Sequence, residues 1–497
     1  MTAATLAPGP ALAPASDFFV PALLRRLDPS WGEVGILAVF AFLGGLGLVA
    51  GVLVEFFNVV LPLVMVAVAG FGIVRMLRLD PANLWTTLLW MRGAVALYFG
   101  FGSLVPLFIN AEARTYIETL FLFFPLDILK FNVVVTVFVT LVLATAALGE
   151  RAVLARRSAG AQPFFRPRPS ALSLTNIGLL FLLVGSLFNF GILLPQSLGL
   201  TTISLPNALT EIGMLAYVGL FFLTYSAISA RSWLIVPVLA VGVVYIVFGL
   251  IQFSKTAVLY PVILIGIGYI YGNPTLRKLA LTGFAVALTY FLSNSVVQEG
   301  RILMLERYDS LQGAGLQERL DIMRNSSLGR GTRVAGEINY GLTRLSYTNV
   351  GTYVISEQDQ GIPGNSTANA LATVVPRFIW PDKPVITDVA RELSFQASGI
   401  YDNNIAPTLP GDAYWNGGWP GLVLWAVVIG LIFWIWSCYA IAVLRAEAWH
   451  LFAVVLIGAR LGLRLDGFLI IDLIGPIPIA VVGHVLLSAI NGVIAQR

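Results

Sequence analysis

The chain has 497 residues, 58% of them hydrophobic and only 11% charged, with a mean hydropathy of +0.85. Soluble domains carry about 25% charged residues, so this composition excludes a water-soluble globular protein and indicates one embedded in a membrane. The net charge of +4 comes from basic residues scattered between apolar runs, a pattern that argues against nucleic acid as a partner, and a single cysteine, Cys438, excludes an intrachain disulfide.

Residues 1–30 are rich in Ala and Pro, and Arg25 and Arg26 come only just before the first apolar run. That order does not suit a cleaved signal peptide, and a disordered cytoplasmic tail is expected. Apolar runs of the roughly 17–25 residues that cross a bilayer then recur. They place spans at 34–54, 57–76, 86–109, 129–149, 171–194, 208–229, 232–252, 257–272 and 279–297, and, after a polar stretch, at 419–443, 448–465 and 473–493. No ten-residue dyad alternation accompanies them, so the expectation is an all-α polytopic membrane protein of about twelve transmembrane helices, not a β-barrel. Its parts are then the tail, spans one to nine over 31–297, one large partly helical loop over 298–418, and spans ten to twelve over 419–497.

Loops on one side hold Arg75 and Arg78, then Arg151, Arg156, Arg157, Arg166 and Arg168, then Arg231, then Arg277 and Lys278, then Arg445. The positive-inside rule makes that side cytoplasmic, together with both termini, and puts the loop 298–418 outside. The loop holds 13 of the 26 acidic residues and 10 of the 30 basic ones, so the exposed chemistry is concentrated there.

Within it, RVAGEINYGLTRLSY (333–347) has helical periodicity. At 100° per residue Arg333, Glu337, Tyr340, Arg344 and Tyr347 fall within about 80° of one another, while Val334, Ile338, Leu342 and Leu345 form a separate apolar arc. The two arginines lie roughly 16 Å apart along such a helix, a spacing that suits a long anionic or sugar ligand and equally a solvated face with an i,i+4 ion pair. Arg460 and Arg464, near the outer end of span eleven with Asp466 and Asp472 following, are costly in hydrocarbon and therefore expected to face the protein interior or a polar cavity, which makes the pair a functional candidate; the alternative is that Asp466 simply neutralises Arg464 as a structural ion pair. Lys255 stands in a very short outer loop, where snorkelling explains it as well as a ligand does. Guanidinium groups bind phosphate oxygens through forked hydrogen bonds, which makes a lipid-linked diphosphate the natural anion for these residues.

Acids and bases in the loop are numerous: Glu299, Glu306, Glu337, Glu357, Asp359, Asp382, Asp402 and Asp412. Neither histidine lies there; His450 begins span eleven and His484 lies inside span twelve, where it reads as a packing group. Glu357 and Asp359 are a close acidic pair without a third ligand, so no metal site is expected, and no glycine-rich phosphate loop of the Walker type occurs.

Three signals follow one another in a telling order: TRLSY at 343–347, VVPRFIWPDKP at 374–384, and APTLPGDAYWNGGWPG at 406–421 leading into span ten. Over about residues 330–425 the chain resembles the Wzy-type O-antigen and exopolysaccharide polymerases of bacteria, in which a PRxxWPxKP-like segment precedes a Gly-acidic-x-Tyr stretch and an aromatic Gly-Trp-x-Gly approach to the next helix. The resemblance implies a GT-C-like glycosyltransferase of the bacterial cytoplasmic membrane that joins undecaprenyl-diphosphate-linked repeat units at the periplasmic face, without a cofactor. Donor and acceptor are then both lipid-linked glycans, in contact with membrane lipids, and a chain-length regulator protein is a further partner.

On that reading Arg333, Glu337, Arg344 and Asp412 are the catalytic candidates, with the arginines on the diphosphate and Glu337 or Asp412 as base. Lys255, Tyr340, Arg377, Trp380, Lys383, Tyr414, Trp415, Arg460 and Arg464 are the substrate-binding candidates. Pro376, Pro381 and Pro384 stiffen the strap that carries Arg377, Trp380 and Lys383, although an interfacial anchor accounts for Trp380 equally, and an aromatic belt for Tyr414, Trp415 and Trp419. Related ligases commonly use a histidine in the outer loop, so its absence favours a polymerase. The alternatives are a ligase that passes glycan to another acceptor and, in a different class, a transporter of lipid-linked oligosaccharide.

Overall fold

The computed structural model describes residues 30–109, 124–158, 164–201, 211–271, 275–308, 314–327, 342–343, 345–368, 375, 380, 382, 388–398 and 405–496. Helices α1 (Trp31–Ala50), α2 (Val54–Leu79), α3 (Thr87–Leu107), α4 (Pro125–Ser158), α5 (Leu174–Ser197) and α6 (Glu211–Ser229) come first. They are followed by α7 (Ile235–Ile251), α8 (Lys255–Tyr271) and α9 (Leu276–Tyr308). Three shorter, more polar helices come next: α10 (Leu316–Ser327), α11 (Thr348–Asp359) and α12 (Asp388–Ser398). The chain closes with α13 (Leu409–Arg445), α14 (Phe452–Leu463) and α15 (Leu469–Ala495). No strand occurs among the described residues.

Nine of the described helices, α1 to α6, α9, α13 and α15, are long and apolar enough to cross a membrane, which makes this a multi-pass α-helical membrane protein. Their outward faces are apolar and exposed, as at Phe42, Val49, Phe71, Leu183 and Val485, the pattern of helices solvated by lipid. Each of the twelve expected apolar runs contains a helix, but the boundaries differ in informative ways. Helices α7 and α8 are apolar but have only 17 residues each. The run 448–465 becomes a tight turn at Trp449–Leu451, the 12-residue α14 and a second turn at Arg464–Asp466. At about 1.5 Å per residue α14 alone is shorter than the hydrocarbon core. Helix α9 continues to Tyr308, past the expected end of span nine at 297, and the tail 1–29 lies outside the described residues.

Local chemistry explains the helix ends. The Glu33 N–H donates to the Ser30 hydroxyl at 3.1 Å to cap α1, and Gly51 closes it at φ 64°. Helix α13 is two helices in one: Leu409–Asn416 and the span proper are joined across Gly417 and Gly418, the latter at φ 57° and ψ −148°, which only glycine adopts without strain. Three helices widen locally into π-helical turns, over Val95–Phe101 in α3, Asn189–Leu193 in α5 and Leu469–Ile474 in α15.

The bundle is held by aromatic and small-residue contacts. Trp85, Phe221 and Phe452 meet edge-on and stacked with ring centroids 4.6–5.2 Å apart, tying the start of α3 to α6 and α14. Helices α5 and α6 approach backbone to backbone, since a Cβ on Gly185 would lie 2.2 Å from the Ala216 nitrogen. Between α1, α2 and α3 the Arg92 guanidinium donates to Glu33 at 2.7 Å with both side chains almost fully buried. Two charges removed from water in this way are tolerable only as a pair, so the contact anchors the three helices to one another.

Candidate functional site

A polar cluster forms where the C-terminal halves of α3 and α14 meet the N-terminal ends of α6, α8, α13 and α15. Its hub is Asp412, which is fully buried. Oδ1 accepts from the Ser366 hydroxyl at 2.5 Å and from Asn416 Nδ2 at 2.8 Å, and Oδ2 accepts from the Leu469 N–H at 2.9 Å. The Asn416 carbonyl oxygen in turn accepts from the Thr367 hydroxyl at 3.0 Å. Asp412 therefore ties the 366–367 segment, the short first helix of α13 and the start of α15 into one unit. With both oxygens committed and no exposed surface, it is placed to position its neighbours and is out of reach of a substrate hydroxyl. The helix it sits on starts at Thr408, a buried residue at φ 72° and ψ 153°, whose hydroxyl accepts the Gly411 N–H at 3.2 Å. That backbone region is strained for a β-branched residue.

Beside the hub, the π-helical turn of α15 presents Asp472. One carboxylate oxygen accepts the Phe468 N–H at 2.9 Å, and the other accepts from Arg464 Nη1 at 3.3 Å. Asp466 does not pair with Arg464 as its position in the sequence leads one to expect. The turn at Arg464–Asp466 carries it to the Tyr347 hydroxyl, which donates to Oδ2 at 3.0 Å, while Oδ1 is buried and accepts no hydrogen bond among the described residues. Burial pushes the Asp466 carboxyl above the usual carboxylate range, against the opposing pull of Arg464 and of the Tyr347 hydrogen bond. Tyr98, on the π-helical turn of α3, meets Tyr347 edge to face at 5.3 Å between ring centroids. Arg464 keeps about half of its side-chain surface exposed, and Asp472 engages only one of its five N–H donors.

The second arginine of the pair, Arg460, donates to Glu211 at the start of α6 and lies 5.6 Å from the centroid of the Tyr260 ring. Each arginine thus has a carboxylate partner, and with Asp412 and Asp466 the cluster holds two cations and four carboxyl groups. Lys255 begins α8, and its ammonium lies 5.8 Å from the Tyr290 ring centroid, away from these contacts.

The other aromatic candidates divide. Trp415 is buried in the core shared by Val350, Val354, Leu393 and Phe468, and its indole N–H donates to the Ile362 carbonyl at 3.3 Å, a packing position. Tyr414 is buried too, with its hydroxyl donating to Asp359 at 3.0 Å. Trp380 is exposed. His484 is hydrogen-bonded to the Tyr439 hydroxyl at 2.9 Å, the packing role read from the sequence.

Arg333, Glu337, Tyr340, Arg344, Arg377, Lys383 and Asp402 lie outside the described residues. The described end of the expected amphipathic helix, 345–347, is a turn followed by irregular backbone, so Tyr347 stands beyond that helix and directly ahead of α11. The turn is seated on α3: a Cβ on Gly102 would lie 2.1 Å from the Leu345 carbonyl oxygen.

The sequence places Asp472 after the arginine pair but does not mark it as the partner of Arg464; sequence reasoning missed Tyr98, because periodicity does not announce a π-helical turn, and it missed Lys130, which sits inside an apolar run of α4 and pairs with Asp359. A lone lysine in such a run was the available signal. Compared with known protein families, curated proteins and solved structures, the chain has no match.

Proposed function

We propose that this protein is a glycosyltransferase of the bacterial cytoplasmic membrane that polymerises undecaprenyl-diphosphate-linked oligosaccharides at the periplasmic face. The observation that carries the reading is the Arg464–Asp466 turn. A half-exposed guanidinium with spare donors stands two residues from a half-buried carboxyl of which one oxygen accepts no hydrogen bond among the described residues. In the proposed reaction the acceptor sugar hydroxyl attacks the anomeric carbon of the donor, the bond from that carbon to the diphosphate oxygen breaks with inversion, and the hydroxyl proton passes to Asp466. Arg464 meets the charge that develops on the leaving lipid diphosphate, with Arg460 behind it. Asp412 holds the turn of α15 that orients Arg464 through Asp472.

The topology supports this placement. Counted as membrane segments with the nine long helices, α7, α8 and α14 together with the expected cytoplasmic N-terminus would put the C-terminal ends of α3 and α14 and the N-terminal ends of α4, α6, α8, α13 and α15 on the outer side. The hydrogen bonds and ring contacts of the cluster join residues from those same ends to one another and to Tyr347, ahead of α11.

The test is the protein in nanodiscs with a synthetic undecaprenyl-diphosphate oligosaccharide. A ladder of products, lost in Arg464→Ala and Asp466→Asn, supports polymerisation and the assigned residues. A competent substrate that yields no ladder overturns the polymerase reading. A single addition to a different lipid acceptor would identify a ligase, and movement of the intact lipid across proteoliposomes a transporter.

A further inference from the structure

Away from the arginine cluster, α1 and α4 leave a groove between them with a volume of about 690 Å³, within the range of small-molecule sites. Its long walls are apolar, formed by Phe42, Gly45, Val49 and Val137 among others, and Phe42 and Val49 are strongly exposed on the lipid-facing side. One end is charged. Lys130 pairs there with Asp359, Tyr414 donates its hydroxyl to the same carboxylate, and the lysine ammonium lies 5.3 Å from the Tyr414 ring centroid. Asp127 and Trp419 complete that end, and the Asp127 carboxylate accepts no hydrogen bond among the described residues.

An apolar trough open to the bilayer and closed by charged and aromatic side chains has the two-part chemistry of an amphiphile. Its head end carries one lysine and two carboxylates, so an anionic headgroup would add to an existing excess of negative charge. A zwitterion extends the alternation of signs instead, its phosphate toward Lys130 and its cation toward Asp127. Of the two common cations, a trimethylammonium has no N–H, whereas a primary ammonium supplies three donors for a carboxylate that lacks one. We propose that this groove binds one bilayer phospholipid with a primary-ammonium headgroup, a chain lying along α1 and α4 and the ammonium on Asp127. The proposal does not depend on the glycosyltransferase reading.

The test uses the full-length protein, delipidated in detergent, with phosphatidylethanolamine, phosphatidylcholine and phosphatidylglycerol offered at equal mole fraction and bound lipid counted by native mass spectrometry. Phosphatidylethanolamine should be retained about fivefold over either of the others, the scale of one partly exposed charge pair. Asp127→Asn should bring that ratio close to one. Gly45→Phe fills the trough from a position where an added Cβ meets no atom within 4 Å, and it should abolish retention while the lipid-free melting temperature stays at the wild-type value. Equal retention of phosphatidylglycerol by the wild type, or an unchanged ratio in Asp127→Asn, overturns the proposal even if Gly45→Phe fails to fold.

Discussion

Asp412 and Leu469, 57 positions apart, are joined at 2.9 Å by the Leu469 N–H donating to the Asp412 carboxylate. The bond fixes the first turn of α15, and Asp472 in that turn holds the Arg464 guanidinium. A buried acid thus sets the position of a surface cation that it does not touch.

Replacing Asp412 by Ala should leave the Leu469 N–H and the Ser366 hydroxyl buried without their acceptor. Each orphaned group costs about 1–3 kcal/mol, so a loss of about 2–4 kcal/mol is expected after partial relaxation. Chemical denaturation in bicelles measures it; a variant as stable as the wild type would show that the hub holds nothing together.

Asp466→Asn should lower the rate of glycan transfer by about 10²–10⁴-fold, the usual contribution of a positioned base, with little effect on folding. A base acts when ionised, and burial raises the Asp466 pKa, so activity should fall with decreasing pH earlier than an ordinary carboxylate would dictate. The Tyr347 hydrogen bond favours the ionised form. Tyr347→Phe should therefore move the acid limb to higher pH. A limb that stays in place or moves lower in this variant contradicts the assignment.

Gly102→Ala places a methyl group 2.1 Å from the Leu345 carbonyl oxygen. The turn at 345–347 must lift from α3, which costs about 1–3 kcal/mol as an overpacking change and removes Tyr347 from Asp466. The expected result is a larger loss of transfer activity than of thermal stability. Unchanged activity would separate Tyr347 from the chemistry.

At Thr408 strain and capping oppose each other. Relief of the φ 72°, ψ 153° backbone is worth about 1–3 kcal/mol, while exchanging a threonine cap for glycine costs only a few tenths. Strain outweighs the cap, so Thr408→Gly should raise the melting temperature in detergent, and a lower value would mean that the threonine side chain contributes more than its cap.

The helices were legible because a bilayer demands long apolar runs, and those runs are local in sequence. Helix α14 departed from the expectation because polar residues at both of its ends, His450 and Arg464, form turns that shorten it. The site was legible only in part. Arg460, Arg464 and Asp412 were visible as charges in apolar surroundings, but Glu211, Ser366 and the Leu469 backbone come to them from distant segments, and Asp472, only eight positions after Arg464, meets it through the π-helical turn of α15. Asp466 was visible as well, yet adjacency in sequence suggested the wrong partner, because a three-residue turn points its carboxylate to Tyr347.

The break at Gly417 and Gly418 acts as a mechanical joint. Below it the long part of α13 must tilt to match the thickness of the surrounding hydrocarbon; above it the eight residues Leu409–Asn416 are bolted by Asp412 to α15 and to the 366–367 segment. Tilt in the lower helix is taken up at the glycines and does not reach the cluster. Transfer rates in nanodiscs of short-chain and long-chain lipids should then agree, and Gly417→Ala, which stiffens the joint at a position where an added Cβ meets no atom within 4 Å, should make them diverge.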